Sequence, residues 1–409
     1  MSMNDMRETL SSDTAAALDL GGIPWYYHRF VRGFQRGFVA GTLHYVLPRG
    51  HRGTIRGAQP GPVGTIVLHR WRAVRRLLLR GSLGFAEAYL DRDWESPDLP
   101  TFVELVTRNA VNRRVGTFWQ RVFERIRHGR RTNSKTGSRR NIAAHYDLGN
   151  EFYAAWLDPS MTYSSAVFRE DVAVLEDAQS QKYGRLLDLI QAKPGDRVLE
   201  IGCGWGGFAE YAARLGVGVT GITISRAQHE FAEQRIAQAG LSDLAEIRLC
   251  DYRDIEGSYD HVVSIEMIEA VGETYWPVYF ERIAGCLRKG GRVAIQAITT
   301  RDEHFAHYRR RADFIQTYIF PGGMLPCRSV LRDQAQRVGL QWISDDGFAA
   351  HYARTLGEWR KKFVSSWPHI RGMGFDERFR RIWEFYLASC EGSFRARGID
   401  VLQIALVKS

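Results

Sequence analysis

The chain is poor in cysteine and has no long apolar run. Its five cysteines are scattered, with no C-x-x-C pair, which argues against a zinc site or a disulfide framework and indicates a reducing cytoplasm. No segment approaches the roughly 20 consecutive apolar residues that span a bilayer, and the first residues lack the apolar core of a signal peptide. We therefore expect a soluble, cytoplasmic protein without a bound metal.

Apolar and aromatic residues are plentiful. The 409 residues are 44% hydrophobic and 12% aromatic, which allows a large packed core, and this length predicts two domains. The first hundred residues are typical of a small α+β unit, because apolar runs at 41–50 and 64–70 are punctuated by glycine and proline. Residues 71–94 have helical spacing with arginines between the apolar positions. Such a helix packs on its own domain or lies on a membrane.

Positive charge is concentrated in one segment. The chain has a net charge of +10, and residues 101–140 contain eleven Lys and Arg against two Glu, a net charge of +9. Such a segment indicates a polyanionic partner, either nucleic acid or the anionic surface of a membrane. The alternative is a solvated linker without a partner.

Strands and helices alternate from about Lys193 onward. The segments between the apolar runs, such as residues 226–240 and 277–291, have helical spacing and end in glycine. This alternation predicts an α/β fold whose parallel sheet is covered by helices on both faces. The five predicted strands are residues 197–202, 218–225, 245–251, 259–266 and 292–298.

A glycine-rich turn follows the first of these strands. Residues 202–207 read GCGWGG, and glycines there let the backbone turn sharply and approach a ligand closely. The helix that follows favours negative charge at its N-terminus. The G-x-G-x-G spacing directly after Glu200, the lack of an acid in the next strand's GITISRAQ, and Asp251 in LCDYRD together resemble the class I S-adenosylmethionine methyltransferases rather than dinucleotide dehydrogenases.

Longer motifs narrow the resemblance. HYDLGNEFYAAWLDPSMTYSSAVF at 145–168, EMIEAVG at 266–272 and YIFPGGMLP at 318–326 occur in the order found in cyclopropane-fatty-acyl-phospholipid synthases. From about Asn141 to its end the chain is similar to that family. The resemblance implies a small α+β accessory domain at 1–110, a basic linker at 111–140 and a methyltransferase domain at 141–409. It implies a Rossmann-like, seven-stranded sheet in the last of these.

The resemblance also implies an activity. The family transfers a one-carbon unit from S-adenosylmethionine to the cis double bond of an acyl chain in a membrane phospholipid. Peripheral docking on the anionic inner leaflet is expected with it, and a homodimer or a reductase partner is compatible with the sequence. A dry, aromatic cavity would protect the carbocation that forms on the chain. Candidate lining residues, each of which taken singly is more often a core residue than a cavity residue, are Tyr153, Trp156, Tyr163, Phe168, Tyr308, Tyr318 and Phe320.

The family's cofactor residues have counterparts in this chain. Tyr163 and Ser164 would cover the methionine end of S-adenosylmethionine. Glu200 either belongs to the cofactor site or only bonds loop amides. The remaining positions that the resemblance implies are Gly202 and Gly204 under the methionine, Thr223 and Gln228 at the ribose, Asp251 and Tyr252 at the adenine, and Trp205, Gly206 and Ile224 beside them.

The family's base site is altered in this chain. There a bound bicarbonate is thought to accept the proton, and Glu269, Tyr352 and the backbone at Ile298 match its binding positions. Ser165 stands where Cys is usual, and Gln296 where His is usual; Ala270 replaces a further His. Serine and glutamine can bond an anion, but glutamine cannot carry a proton as His does. Cyclopropane and methyl- or methylene-branched products both remain open, with a slight preference for branching.

Glu266 has no counterpart in the family's site, and we expect a structural role for its side chain. The sequence leaves two alternative functions. A nucleic-acid methyltransferase that acts on amino groups is disfavoured, because EMIEAV stands where such enzymes have an Asn/Asp-Pro-Pro-aromatic motif. A cytosine-C5 methyltransferase is disfavoured because its nucleophilic cysteine does not lie after the fifth strand, which is where Cys327 lies. An inactive lipid- or partner-binding homologue is the remaining alternative, against which the intact glycine loop and Glu269 argue.

Overall fold

The computed structural model describes residues 23–110, 148–169, 174–310 and 312–409. The basic linker predicted at 111–140 and the first residues of the motif at 145–168 therefore lie outside the described residues, so the linker stays a prediction. Within the described ranges, no helix is both long and apolar enough to cross a bilayer.

The N-terminal unit, residues 23–110, contains a four-stranded sheet in the order β2-β1-β3-β4. Strand β1 pairs antiparallel with β2 and parallel with β3. The two apolar runs predicted as strands form β1 and β3. The elements are β1 (Ala40–Val46), β2 (Arg52–Arg56), β3 (Gln59–Leu68) and β4 (Trp94–Glu95), with helices α1 (His28–Arg36), α2 (Arg72–Leu90) and α3 (Leu99–Ala110).

Helix α2 confirms the helical spacing of residues 71–94. Its arginines bond within the unit: Arg72 Nε donates to Asp93 Oδ2 at 2.7 Å, and Arg76 Nη1 donates to Asp91 Oδ2 at 2.6 Å. Asp93 is fully buried, and a buried carboxylate needs such partners. These contacts favour packing on the unit over the membrane alternative for this helix.

A seven-stranded sheet follows, in the order β10-β11-β9-β8-β5-β6-β7. The five predicted strands form β5 to β9, and their neighbours pair in parallel. The parallel arrangement of these five strands and the seven-stranded sheet implied by the resemblance are both confirmed; the two added strands make the sheet mixed, because β11 runs antiparallel between β9 and β10. The strands are β5 (Arg197–Ile201), β6 (Gly218–Thr223), β7 (Ala245–Leu249), β8 (Tyr259–Ile265), β9 (Leu287–Thr300), β10 (Leu340–Gly347) and β11 (Ile399–Lys408).

Helices cover this sheet and extend from its carboxyl edge. Apolar clusters occupy both of its faces, one centred on β8 and β9 and the other under the helices that flank β5 and β6. The helices are α4 (Asn150–Ala154), α5 (Leu175–Ile190), α6 (Gly207–Arg214), α7 (Arg226–Gln238), α8 (Ile268–Val271), α9 (Trp276–Cys286), α10 (Asp302–Tyr308), α11 (Phe314–Tyr318), α12 (Arg328–Arg337), α13 (Ala349–Ser365), α14 (Trp367–Gly372) and α15 (Glu377–Arg395).

The N-terminal unit packs against α15. A Cβ on Gly392 would lie 2.6 Å from the carbonyl oxygen of Pro100, so only glycine permits this approach of α15 to α3. The buried Arg381 donates through Nη2 and Nε to the Tyr89 carbonyl at 2.6 and 3.1 Å. One apolar cluster continues from Trp94 in the unit to Phe385 in α15. The two sheets therefore belong to one packed body at this contact.

Candidate active site

The glycine-rich turn lies at the carboxyl end of β5, where open α/β sheets bind ligands. Gly202, Gly204 and Gly206 have φ values of 83°, 53° and 81°, the left-handed region that glycine adopts without strain. A Cβ on Gly202 would lie 2.8 Å from Met267 Cγ, whereas one on Gly204 would meet open space. The turn thus exposes backbone at Gly204 and is closed behind Gly202.

A cavity of about 630 Å³ opens over this turn and is mostly apolar. Eleven of the twelve predicted cofactor residues line it; Gly206 does not. Among the predicted catalytic residues, Glu269, Tyr352 and Ile298 line it, whereas the fully buried Ser165 and Gln296 lie behind its wall. The cofactor residues in the wall are Tyr163, Ser164, Glu200, Gly202, Gly204, Trp205, Thr223, Ile224, Gln228, Asp251 and Tyr252.

The side chains predicted to bind the ribose and the adenine are held by hydrogen bonds to neighbouring residues. Thr223 Oγ1 donates to Gln228 Oε1 at 2.9 Å. The Asp251 carboxylate accepts hydrogen bonds from Nε and Nη2 of Arg253 at 2.8 and 2.7 Å. The Asp251 carboxylate is therefore already paired with the Arg253 guanidinium. If it also bonds an adenine amine, as the sequence predicts, one of its oxygens must accept hydrogen bonds from both donors.

Helix α5 fixes Ser164 from below. Gln179 Nε2 donates to the Ser164 carbonyl at 3.0 Å, and Lys182 Nζ donates to Ser164 Oγ at 2.7 Å. Lys182 is fully buried; burial lowers its pKa to about 7, against the opposing charge of Glu266. Sequence reasoning missed both residues. The sequence signal for Lys182 was its spacing: it lies one helical turn from Ala178 and one from Leu186, on the buried face of the helix.

Glu200 is buried beside this group. Its Oε2 has no hydrogen-bond partner among the described residues, and burial raises its pKa to about 8 while the charge of Lys182 lowers it. A carboxylate oxygen left without a donor at such a depth is costly. The alternative that Glu200 only bonds loop amides does not account for Oε2.

Glu266 gathers three of the predicted site residues. Its Oε1 accepts hydrogen bonds from the Ser165 backbone N–H at 2.8 Å and from Gln296 Nε2 at 2.7 Å, and its Oε2 accepts one from the Tyr352 hydroxyl at 2.7 Å. Burial raises the pKa of Glu266, and these three donors lower it again. Donors aimed at a carboxylate favour its charged form. Glu266 therefore has the structural hydrogen-bonding role expected from the sequence, at the centre of the group.

Glu269 has a different environment three residues later. Its Oε1 accepts the Ile298 backbone N–H, and its Oε2 has no hydrogen-bond partner within the described ranges. Burial, and then the charge of Glu266, raise its pKa to about 8. The two neighbouring carboxyls therefore differ in environment: Glu266 is held by three donors, whereas burial and the charge of Glu266 favour the protonated form of Glu269.

The aromatic prediction is correct in part. Tyr163, Tyr308 and Phe320 line the cavity. Tyr153 and Trp156 are fully buried behind it and pack on Tyr163, with ring centroids 5.5 and 5.4 Å away. Their prediction as lining residues was wrong, because the second layer of an aromatic wall has the same composition as the first.

Phe168 and Tyr318 were also predicted as lining residues, and this was wrong too. Phe168 packs in a small separate cluster with Ala166 and Ala178. The Tyr318 hydroxyl instead donates to Glu87 Oε1 of the N-terminal unit at 3.2 Å.

Comparisons with known proteins agree with the family resemblance of the sequence motifs. Residues 133–404 match the family model described as mycolic acid cyclopropane synthetase. The chain is 41% identical over 368 residues to tuberculostearic acid methyltransferase UfaA1 of Mycobacterium tuberculosis, covering 87% of this chain and 86% of that protein. It is 36% identical over 335 residues to cyclopropane-fatty-acyl-phospholipid synthase of Escherichia coli, covering 81% and 84%.

A solved structure shares the fold and contains a cofactor product. The mycolic acid cyclopropane synthase CmaA1, complexed with SAH and CTAB, superposes with a TM-score of 0.62 at 29% identity. The match covers 66% of this chain and 98% of that one. About a third of the present chain thus lies outside the superposition.

Proposed function

The chain belongs to the mycolic acid cyclopropane synthetase family of S-adenosylmethionine-dependent fatty-acyl methyltransferases, and we propose that it forms a methyl- or methylene-branched acyl chain from a cis-unsaturated chain in a membrane phospholipid. One observation carries the proposal: a single cavity is lined both by the exposed glycine turn and by Glu269, whose Oε2 has no partner among the described residues. A donor site and a proton acceptor thus adjoin one apolar space.

The residues around the turn fit S-adenosylmethionine. When bound, it supplies an electrophilic methyl group on a sulfonium. We propose that the exposed backbone at Gly204 lies under its methionine end, and that Ser164, held by Lys182, bonds that end from the side. Thr223 and Gln228 would bond the ribose and Tyr252 would pack at the adenine. The orphaned oxygen of Glu200 is a further acceptor facing this group.

The proton acceptor is proposed to be Glu269 itself. The alkene gains the methyl group and becomes a carbocation on the acyl chain, which must then lose a proton. A carboxylate with a pKa near 8 is suited to accept it at neutral or mildly alkaline pH. Tyr163 and Phe320, with ring centroids 6.2 Å apart in the cavity wall, would exclude water and stabilise the cation.

Bicarbonate is the second candidate acceptor, and three hydrogen bonds disfavour it. Gln296 Nε2 donates to Glu266 Oε1 and to the Ser165 carbonyl, while Ser165 Oγ donates to the Ala166 carbonyl. The side-chain donors predicted to hold an anion are therefore used within the protein. Activity in bicarbonate-free buffer separates the two: retained turnover supports Glu269, and loss with recovery on adding bicarbonate supports the bound ion.

Branching is favoured over ring closure. Loss of a methyl proton directly closes a cyclopropane, whereas a prior hydride shift along the chain gives a methylene branch. Gln296 stands where the family has a His and cannot carry a proton as His can, so no second proton carrier assists Glu269. Slower proton loss would give the cation more time for the shift. The likeness to UfaA1, a tuberculostearic acid methyltransferase by name, agrees with this choice. A saturated methyl product would additionally need a reductase partner to supply hydride.

We propose that the protein docks peripherally on the inner membrane leaflet, through the basic linker at 111–140 and the start of the N-terminal unit. Trp25 is 81% exposed and Tyr26 is 58% exposed, beside the exposed Arg29 and Arg32 of α1. Aromatic rings flanked by cations suit a lipid interface. With this role we retain the division into an accessory domain at 1–110, a basic linker at 111–140 and a methyltransferase domain at 141–409.

Mass spectrometry of membrane lipids tests the function. After expression in a host rich in cis-unsaturated phospholipids, the modified acyl chains should be heavier by one methylene, or by one methylene and two hydrogens if a reductase also acts. Fragmentation then distinguishes a branched chain from a cyclopropane ring. The Glu269→Gln variant should lose the product, while Glu273→Gln, which removes a nearby, partly exposed carboxylate paired with Arg309, should retain it. No mass gain with the wild-type protein would reject the phospholipid assignment.

A further inference from the structure

The cavity continues beyond the catalytic residues into the N-terminal unit. Its wall there is built from two helices and one strand of that unit, none of which is matched by the family model, whose first residue is 133. None of these residues is charged. They are Ser82, Phe85 and Ala86 of α2, Trp94 of β4, and Phe102, Val103, Val106 and Thr107 of α3.

This part of the wall is fixed by aromatic packing. Trp94 is fully buried and stacks on Phe85 with ring centroids 4.3 Å apart, while its Nε1 donates to the Phe85 carbonyl at 2.8 Å. The ring centroid of Phe102 lies 5.3 Å from that of Trp94, and Phe385 of α15 meets Trp94 edge-on at 6.4 Å. A wall locked in this way can discriminate shapes, because its side chains have few alternative positions.

The position of the wall relative to the catalytic groups is also fixed. Arg381 and Gly392 hold α15 against the unit through the Tyr89 carbonyl and the backbone at Pro100. The same helix presents Tyr386 to the cavity, and the Tyr386 hydroxyl lies 2.8 Å from that of Tyr163. The distance from the wall to the reacting centre is therefore set by the packing of one helix.

The chemistry of the wall selects its occupant. A phosphate or other charged headgroup would lose its hydration among rings and aliphatic side chains without a counter-charge. The adenosine end of the cofactor is provided for elsewhere, at Asp251 and Tyr252. A hydrocarbon chain gains free energy along such a wall in proportion to the area it buries.

We propose that the N-terminal unit binds part of the substrate's acyl chain and thereby selects which chains are modified. The inference rests on the proposed function for the nature of the chain. It assigns to the wall residues of α2, β4 and α3 a selective role in catalysis: chains whose length and double-bond position fit between this wall and Glu269 react.

Val106→Phe tests the assignment. A ring added to the wall shortens the space, so phospholipids with shorter monounsaturated chains should be favoured. In a competition between 16- and 18-carbon chains the product ratio should shift about tenfold toward the shorter, because two buried methylenes are worth a factor of roughly ten or more. Val106→Ala should shift it the other way. S-adenosylmethionine affinity should stay within about twofold in both, since the residue lies outside the cofactor wall.

A matched control is Leu105→Ala on the same helix. Leu105 is fully buried and packs under the strands at Gly41 and Gly64, outside the cavity. It should lower the unfolding temperature and leave the product ratio unchanged. If both Val106 variants bind cofactor and give the wild-type ratio, the N-terminal unit does not contact the chain and the inference is overturned. Absence of any lipid product from the wild-type protein would instead reject the proposed function.

Discussion

The pH dependence of turnover tests the assignment of Glu269 most directly. If Glu269 accepts the proton, it must be ionised in the free enzyme, so kcat/KM should rise with pH through its pKa of about 8. With that pKa about a tenth of the molecules are active at pH 7 and about nine tenths at pH 9, so the rate should increase about tenfold. Initial rates on vesicles of a monounsaturated phospholipid, with saturating cofactor, measure it.

The Glu269→Gln variant should lose activity and gain stability. Removing a general base typically costs between about 10² and 10⁴ in rate. The folded-state pKa of Glu269 is raised above its unfolded value, so the folded protein binds the proton more tightly. The resulting contribution to the free energy of unfolding is fully present below about pH 4.5 and is lost as pH rises to about 8. At pH 7 the loss amounts to at most about 3 kcal/mol. The neutral amide is free of this loss, and denaturant unfolding should show the gain.

Two results would refute the reasoning. One is a flat kcat/KM profile between pH 6 and pH 9 in an enzyme that stays folded across that range. The other is a Glu269→Gln variant within tenfold of the wild-type rate. Glu273→Gln is the control for both measurements, because Glu273 is partly exposed and paired with Arg309.

Three further perturbations follow from the site. Lys182→Met should weaken S-adenosylmethionine binding about tenfold or more, since a charged hydrogen bond to Ser164 is worth about 1.5–3 kcal/mol; Lys182→Arg should recover part of it, and equal affinity in all three proteins would refute a positioning role. Gln296→His should raise the cyclopropane fraction among the lipid products, and an unchanged ratio would remove Gln296 from product control. Gly204→Val should abolish cofactor binding measured by calorimetry while the protein stays folded, because the side chain enters the open space over the turn.

Much of the fold could be predicted from local sequence patterns. The strands β5 to β9 and the turn at 202–207 follow from alternation and glycine spacing. Alternation alone does not indicate β10 and β11, which are implied only by the resemblance to a seven-stranded sheet, because a buried apolar run does not show whether its strand is parallel or antiparallel. Residues 277–291 were predicted as a helix ending in glycine, yet α9 ends at Cys286 and the glycines lie within β9. There, the pairing of Leu287 with Tyr259 of β8 overrides the local signal.

The candidate site divides in the same way. Glu269 and the glycine turn are visible as motifs. The meeting of Ser165, Gln296 and Tyr352 on Glu266 depends on contacts across about a hundred residues or less of chain, which no local pattern reports. Wall residues supplied by the N-terminal unit were missed for the same reason: apolar positions in α2 and α3 look alike whether they face a core or a cavity.

The proposed cofactor site gives the buried carboxyl of Glu200 a further consequence. Burial raises its pKa to about 8, and a sulfonium cation bound beside it would favour its ionised form. Binding of the methyl donor to this site should therefore release a proton. The thioether that remains after methyl transfer is neutral and would not favour the ionised carboxyl. One acid in the cavity wall would thus make the site bind S-adenosylmethionine more tightly than its thioether product.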